Sequence, residues 1–289
     1  MKSIIHFLCR TRSIPLSLRR KIATPFIKRN DVEFSINIDG QEYHGCRDNY
    51  IEWVVFVTGQ FFEFSYINLI KSLGLQGNAL DIGANVGNHT LAYSAIFENV
   101  TSIEPYPPVY QRLQKKTAML SNVKAFNVAF GNQTGKVRFA PPHNSNLGTG
   151  KVNANGDMEV QIVKGDEFLN ERLEPLSFIK IDVEGHESEV LTGLQNIIHK
   201  DHPTVLFEAP TVVHSDSSQA ITNILALFPS EYRFYGLKGQ TSFPIQRQLA
   251  KIHPLNGHNL TARFTNILAL PEAIWKTKKM ITKRFANKF

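Results

Sequence analysis

The sequence predicts an α/β fold, a doubly wound sheet of parallel strands preceded by a helical and β-hairpin extension. Three observations carry this. From Gly77 onward, short apolar runs alternate with helical segments across short loops. The first of these units turns through Asp81-Ile-Gly-Ala-Asn-Val-Gly87, a glycine turn between strand and helix. At 289 residues and 42% apolar content, the chain can bury one large core.

The elements follow in order. Residues 1–30 form a basic helical lead broken at Pro15 and Pro25. Two alternating segments, 32–38 and 41–44, flank Asp39-Gly40, a strong hairpin signal. Ile51 to Leu73 reads as helix ending at Gly74. Strands are expected at 79–82, 100–104, 123–130, 177–182 and 203–208, with a hairpin arm at 135–139. Helices are expected at 88–97, 108–120 and 187–199. Residues 141–157 break the rhythm, being rich in Gly and Asn, as binding loops are. His143, Asn144 and Asn146 there are candidates to line an acceptor pocket with hydrogen bonds suited to sugars.

Charge is unevenly spread. Residues 1–30 hold eight Lys/Arg and residues 276–289 hold six, neither with an acid; the stretch between holds 18 basic against 25 acidic side chains. Basic tails on an acidic body argue against a nucleic-acid groove in the domain. Ile274, Ile281, Phe285 and Phe289 share a helical face among lysines, which suits weak contact with an anionic membrane surface or docking on the domain itself. No run approaches the ~20 apolar residues of a membrane span. Arg10 and Arg12 interrupt the apolar N-terminus before any signal-peptide cleavage site, and Cys9 and Cys46 form no CxxC pair. A cytoplasmic location is expected, peripheral at most to the inner membrane face.

Ligands of open α/β sheets bind at the carboxyl ends of the strands. A dinucleotide site would want G-x-G-x-x-G to seat a pyrophosphate, but Asn85 stands at the middle glycine and the turn carries its own acid, Asp81. Negative charge there suits a ligand bearing an ammonium and a sulfonium, which points to S-adenosylmethionine. Glu104, ending the second strand, can accept hydrogen bonds from both ribose hydroxyls. Gly83 is expected to open the backbone to the ligand, and Gly87 to let the helix pack close to its strand.

The runs Ala79 to Thr90, Ser102 to Pro105 and Ile179-Lys-Ile-Asp-Val-Glu-Gly-His-Glu187, with Asn127 to Gly131 and Asn266 to Pro271, resemble the FkbM family of methyltransferases. The resemblance covers roughly residues 77–271. It implies a Rossmann-like class I methyltransferase fold, a seven-stranded, mostly parallel sheet whose last strand, at 265–270, runs antiparallel. It also implies S-adenosylmethionine as methyl donor and O-methylation of a hydroxyl, with sugars of surface glycans and small secondary metabolites among the family's acceptors. Residues 1–76 then form an extension packing on the core, 77–271 the methyltransferase domain and 272–289 a basic C-terminal helix. The donor would lie against Asp81, Gly83, Ala84, Asn85 and Gly87, with Glu104 on the ribose and Asn127 near the adenine.

Asp182, Glu184 and His186 end the fourth strand beside the first. An alcohol acceptor must lose its proton as the new bond forms. Asp182 is expected to hold donor or acceptor, and Glu184 or His186 to remove the proton; Glu187 suits capping of the next helix. Glu208 is a further acid at the same edge. Asp182, Glu184 and Glu208 could together hold a divalent cation, though the resemblance requires none and no metal is assigned. Competing readings are a nicotinamide-dependent oxidoreductase, which Asn85 and Asp81 disfavour, and a non-catalytic binding module.

Overall fold

The computed structural model describes Leu18 and residues 33–142, 147–170, 175–209, 217–238, 251–255 and 264–277. The basic ends, apart from Leu18 and the segment up to Thr277, lie outside the described residues, as do Cys9, His143, Asn144 and Asn146.

The hairpin forms as its turn chemistry predicts. β1 (Glu33–Ile38) pairs antiparallel with β2 (Gln41–Cys46), and both turn residues take positive φ, Asp39 at 51° and Gly40 at 90°. The helix expected at 51–73 is two helices, α1 (Tyr50–Thr58) and α2 (Phe64–Leu73). The break is at Gly59, whose φ of 66° ends α1 with its N–H on the Val55 carbonyl. Asn49 caps α1 by accepting from the Glu52 N–H at 3.1 Å.

The main sheet comprises β3 (Asn78–Ile82), β4 (Asn99–Ile103), β5 (Val123–Phe126), β10 (Leu176–Ile181), β11 (Thr204–Glu208), β12 (Arg233–Lys238), β13 (Lys251–Pro254) and β14 (Asn266–Leu270). Their spatial order is β13-β12-β14-β11-β10-β3-β4-β5. The five strands from β5 to β11 are parallel, and β14 inserts antiparallel between β11 and β12. This is the mostly parallel sheet with a reversed last strand that the family resemblance implies, enlarged from seven strands to eight. The additional strand, β13, extends the edge by antiparallel pairing with β12.

The other departure is a second sheet of four strands, in the order β6-β9-β7-β8: β6 (Ala129–Gly131), β7 (Gly135–Ala140), β8 (Lys151–Val152) and β9 (Met158–Lys164). The single strand expected at 123–130 therefore divides, β5 staying in the main sheet and β6 leaving it.

Helices cover both faces of the main sheet: α3 (Asn88–Ser94), α4 (Pro107–Thr117), α5 (Gly165–Leu169), α6 (Glu187–Thr192), α7 (Gln195–Asp201) and α8 (Ser217–Leu225). The helix expected at 187–199 divides at Gly193, where a Cβ would overlap the Gly131 carbonyl of β6. Successive strand residues alternate between faces. Ala79, Phe178, Leu206 and Leu268 join the core that includes Ile36, Tyr43, Val55 and Ile70 of the N-terminal elements. Leu80, Ile179, Val205 and Ile267 join the opposite core with Val190, Leu191 and Ile198. Each Val, Leu, Ile or Phe among them stabilises by about 1.5–3 kcal/mol on full burial, so both faces of the sheet are committed. Only the strand ends remain for a site. Among the described residues, no helix is long and apolar enough to cross a membrane.

Candidate active site

The carboxyl ends of β3, β4, β10 and β11 open into one cavity of about 230 Å³. Its floor is the glycine turn. Gly83 and Ala84 both donate their N–H to the Ile103 carbonyl at 3.0 Å, fastening the turn to the end of β4. Asp182 N–H donates to the Ile82 carbonyl at 3.0 Å, bringing the end of β10 alongside.

Gly83 also makes room for the neighbouring strand. At a φ of 75°, a Cβ there would overlap the carbonyl of Asp182, so the missing side chain makes room for neighbouring backbone. Gly87 likewise clears Leu113 of α4, whose Cδ1 would lie 2.8 Å from an added Cβ. Gly83 and Asn85 line the cavity; Ala84 and Gly87 do not.

Glu104 follows β4 and is 7% exposed. Its Oε2 accepts the Asn85 N–H at 3.0 Å and its Oε1 the Tyr106 N–H at 2.9 Å. Burial pushes its carboxyl up to about 7; the two backbone donors oppose this and the charges of Asp81 and Asp182 add to it. Each oxygen keeps a lone pair for a further donor.

Asp81 lies beneath the turn, fully buried, and does not line the cavity. Its Oδ2 accepts from Thr90 Oγ1 at 2.7 Å, and Thr90 in turn meets Ser102 Oγ at 2.9 Å. The reason is strand alternation: Asp81, Ser102 and Lys180 are register partners and share the face turned to α3. Asn127 is outside the cavity too, its amide donating to the carbonyls of Glu104 and Pro105 at 2.9 Å each.

Lys180, 4% exposed, answers these charges: its Nζ lies 2.9 Å from Asp182 Oδ2. Burial works against the ammonium, but Asp182, Asp81 and Glu63 outweigh it and hold the lysine charged. For Asp182, burial raises the carboxyl, yet Lys180 prevails and holds it below the usual range.

Beyond β10, Glu184 sits exposed in a loop at a φ of 55°, and burial with the nearby Asp182 and Glu187 raises its carboxyl. Glu187 is turned inward; its Oε1 accepts the Val183 and Gly185 N–H groups at 3.2 Å each, so it fastens the loop that precedes its helix and does not cap the helix N–H groups as expected. His186 touches the cavity, but its Nε2 is enclosed without a hydrogen-bond partner and its Nδ1 lies 3.6 Å from Glu189. Burial keeps its ring on the neutral side. Glu208 closes β11 at the cavity wall. Burial and the charges of Asp182, Glu184 and Glu187 push its carboxyl up to about 8.

Sequence reasoning missed Phe62 and Glu63, which also line the cavity. Asn88 holds them there: its Oδ1 accepts the Phe62 N–H at 2.9 Å, and its Nδ2 donates to the Phe62 carbonyl at 3.1 Å. Glu63 Oε2 then lies 3.4 Å from His89 Nε2. The only signal in the chain was Gly59, the break that turns these residues inward. Tyr106, stacked on Phe139 at 5.9 Å, joins Leu147, Gly150 and Lys151 on the far wall. Five carboxylates line the cavity, those of Glu63, Glu104, Asp182, Glu184 and Glu208, against one lysine, Lys151, among the described residues. Among those residues, no three His, Cys, Asp or Glu are grouped to hold a metal ion.

A doubly wound sheet with a reversed strand beside its fifth, and an acidic cleft over its first turn, define a Rossmann-like fold of the class I methyltransferase kind. The chain belongs to the FkbM methyltransferase family: the Methyltransferase FkbM domain matches residues 81–234, more than half of the chain. The hexuronic acid methyltransferase AglP of Haloferax volcanii is 32% identical over 120 residues, which are 41% of this chain and 50% of that protein. The chain thus spans half the length of this curated relative. Among solved structures, a methyltransferase FkbM from Methylobacillus flagellatus is 20% identical, with a TM-score of 0.44, covering 66% of this chain and 42% of that one. Fibrillarin of Aeropyrum pernix, solved with S-adenosyl-L-methionine, is 11% identical, with a TM-score of 0.41 and 84% of each chain covered.

Proposed function

We propose that this chain is an S-adenosylmethionine-dependent O-methyltransferase whose acceptor is a sugar hydroxyl, in a surface glycan or glycolipid. The observation that carries the reading is Glu104, held by two backbone N–H groups at the cavity edge beside Gly83 and Asn85, with Asp182 opposite. A carboxylate fixed this way suits a pair of ribose hydroxyls. The acidic lining suits a ligand carrying a sulfonium and an ammonium, and it disfavours the diphosphate of a nicotinamide cofactor. Asp182, kept ionised by Lys180, and Glu63 are the acids for the ammonium.

When bound, S-adenosylmethionine supplies an electrophilic methyl group. The protein's part is to orient the acceptor hydroxyl and accept its proton. Carboxylates at the ends of β10 and β11 offer hydrogen-bond acceptors for a polyhydroxylated acceptor, and the relationship to a hexuronic acid methyltransferase supports a carbohydrate. A small secondary metabolite remains the alternative acceptor. Radiolabelled methyl transfer to p-nitrophenyl glucoside, mannoside, glucuronide and N-acetylglucosaminide separates the two; a protein that methylates none of them contradicts the sugar reading.

Calorimetric titration with S-adenosylhomocysteine and with NADH tests the cofactor, and only the first is expected to bind. Glu104→Ala is expected to weaken S-adenosylhomocysteine by ten- to a hundredfold, since a hydrogen bond to a charged group contributes about 1.5–3 kcal/mol. Because the carboxylate is the binding form and its apo carboxyl lies at about 7, affinity is expected to fall as pH drops below that value. Glu104→Gln should flatten this dependence. Unchanged affinity in the alanine variant would remove Glu104 from the ribose site.

A further inference from the structure

We propose that Glu208 is the general base that takes the proton from the acceptor hydroxyl, an inference that rests on the methyl-transfer reading above. In the balanced step the acceptor oxygen gains its bond to the methyl carbon, the electron pair of the carbon–sulfur bond stays with sulfur, and the hydroxyl proton passes to a Glu208 carboxylate oxygen.

The geometry selects Glu208 by what the other acids and the histidine are already doing. Asp182 is tied to Lys180 at 2.9 Å, a contact that makes it a weak proton acceptor. Glu187 spends its Oε1 on two backbone N–H groups. His186 has Nε2 enclosed and Nδ1 against Glu189. Glu63 faces His89 at 3.4 Å, and Glu104 takes two backbone donors on the opposite wall. Glu184 stands exposed on its loop, where water competes for it. Glu208 alone of the lining acids ends a central strand, half-buried, with no hydrogen bond or ion pair among the described residues. It is rigidly placed, since β11 is paired on both sides, by β10 and β14. A base on a strand end keeps its position through turnover.

The charges around it set its proton affinity. On the β10 side stand Asp182, Glu184 and Glu187, all raising its carboxyl, and Lys180, lowering it. On the β14 side its register partner Asn266 is uncharged, and from α2 the Tyr66 hydroxyl is engaged with Thr265 Oγ1 at 2.6 Å. Burial together with the three acids brings Glu208 to about 8, which makes its ionised form a stronger proton acceptor than an ordinary carboxylate.

The test uses the full chain labelled with ¹³C at the glutamate carboxyls, and S-adenosylmethionine with the p-nitrophenyl glycosides above as acceptors. In the ligand-free protein, one carboxyl is expected to titrate near pH 8, to vanish in Glu208→Gln, and to move to lower pH in Glu184→Gln, which removes a like charge. With whichever glycoside the wild type accepts, Glu208→Gln is expected to lose about 10²–10⁴-fold in kcat. Its affinity for S-adenosylhomocysteine should stay unchanged, and Glu208→Asp should restore part of the rate with a displaced acid limb. Titration of Glu208 among the ordinary carboxylates, or undiminished transfer by Glu208→Gln, overturns the proposal. Failure of the wild type to bind S-adenosylhomocysteine overturns instead the reading on which it rests.

Discussion

Gly83→Ala is expected to destabilise the fold by about 2–5 kcal/mol, the combined cost of a left-handed non-glycine residue and an overfilled contact. The φ of 75° already disfavours any side chain, and the added Cβ would overlap the Asp182 carbonyl. Relief would require parting β3 from β10, but the Asp182 N–H to Ile82 carbonyl bond of 3.0 Å and the parallel ladder hold them together. The control is Gly185→Ala. There φ is 98° but nothing lies within 4 Å of the new Cβ, so only the conformational cost of roughly 1–2 kcal/mol applies. Urea unfolding measures both. Equal midpoints for the two variants would show that the contact with Asp182 is not what demands glycine. Because the same carbonyl belongs to a residue of the cavity wall, Gly83→Ala should also weaken S-adenosylhomocysteine more than Gly185→Ala does.

A second large loss is expected from Lys116→Met, about 3–5 kcal/mol, the usual cost of stranding one partner of a buried ion pair. Lys116 Nζ lies 2.6 Å from Glu52 Oε1, with the two side chains 4% and 3% exposed, and the ammonium sits 4.0 Å from the centre of the Tyr43 ring. Burial lowers the Lys116 pKa even though Glu52 opposes it, so desolvation is the larger influence on the pair. Glu52 also receives the Cys46 N–H at 3.2 Å and approaches Arg112 at 3.5 Å, while Arg112 makes a bidentate contact with Asp48. The network joins β2 and α1 to α4, and α1 carries Tyr50 and Ile51 to the cavity. The double variant Glu52→Met/Lys116→Met removes both charges and leaves the Cys46 N–H as the main unpaired group. It is expected to recover part of the loss, with a coupling of about 0.5–3 kcal/mol in a double-mutant cycle. A coupling of zero would mean that the pair does not join the two segments.

These two sites differ in how far the chain announces them. Gly83 is visible in the sequence as part of a strand–turn–helix signal, yet its neighbour is not. A turn read in isolation shows only open space for a ligand, whereas the Asp182 carbonyl stands where a Cβ would lie and gives a second reason for glycine. Lys116 and Glu52 gave no signal at all, since a lysine on a polar helix and an acid in a first helical turn are ordinary surface features. Asp81 shows the reverse error. The acid is where the motif puts it, but strand alternation turns it toward Thr90 and away from the cavity. Lys180, an isolated charge in an apolar strand, finds its explanation only beside Asp182, Asp81 and Glu63.

What the sequence determined by itself was the α/β class, the hairpin at Asp39-Gly40, the glycine turn with Glu104 downstream, and the acids closing the later strands. Each is local: alternation, turn chemistry and strand ends are written within a few consecutive residues. The tertiary structure alone decided which of these ends share a cavity, that Glu63 and Phe62 join it, and that Asp182 is bound to a lysine while Glu208 has no hydrogen bond or ion pair among the described residues. Neighbours in a doubly wound sheet are set by spatial order, β10 lying beside β3 and β14 beside β11, and the charge balance of the site follows from that order.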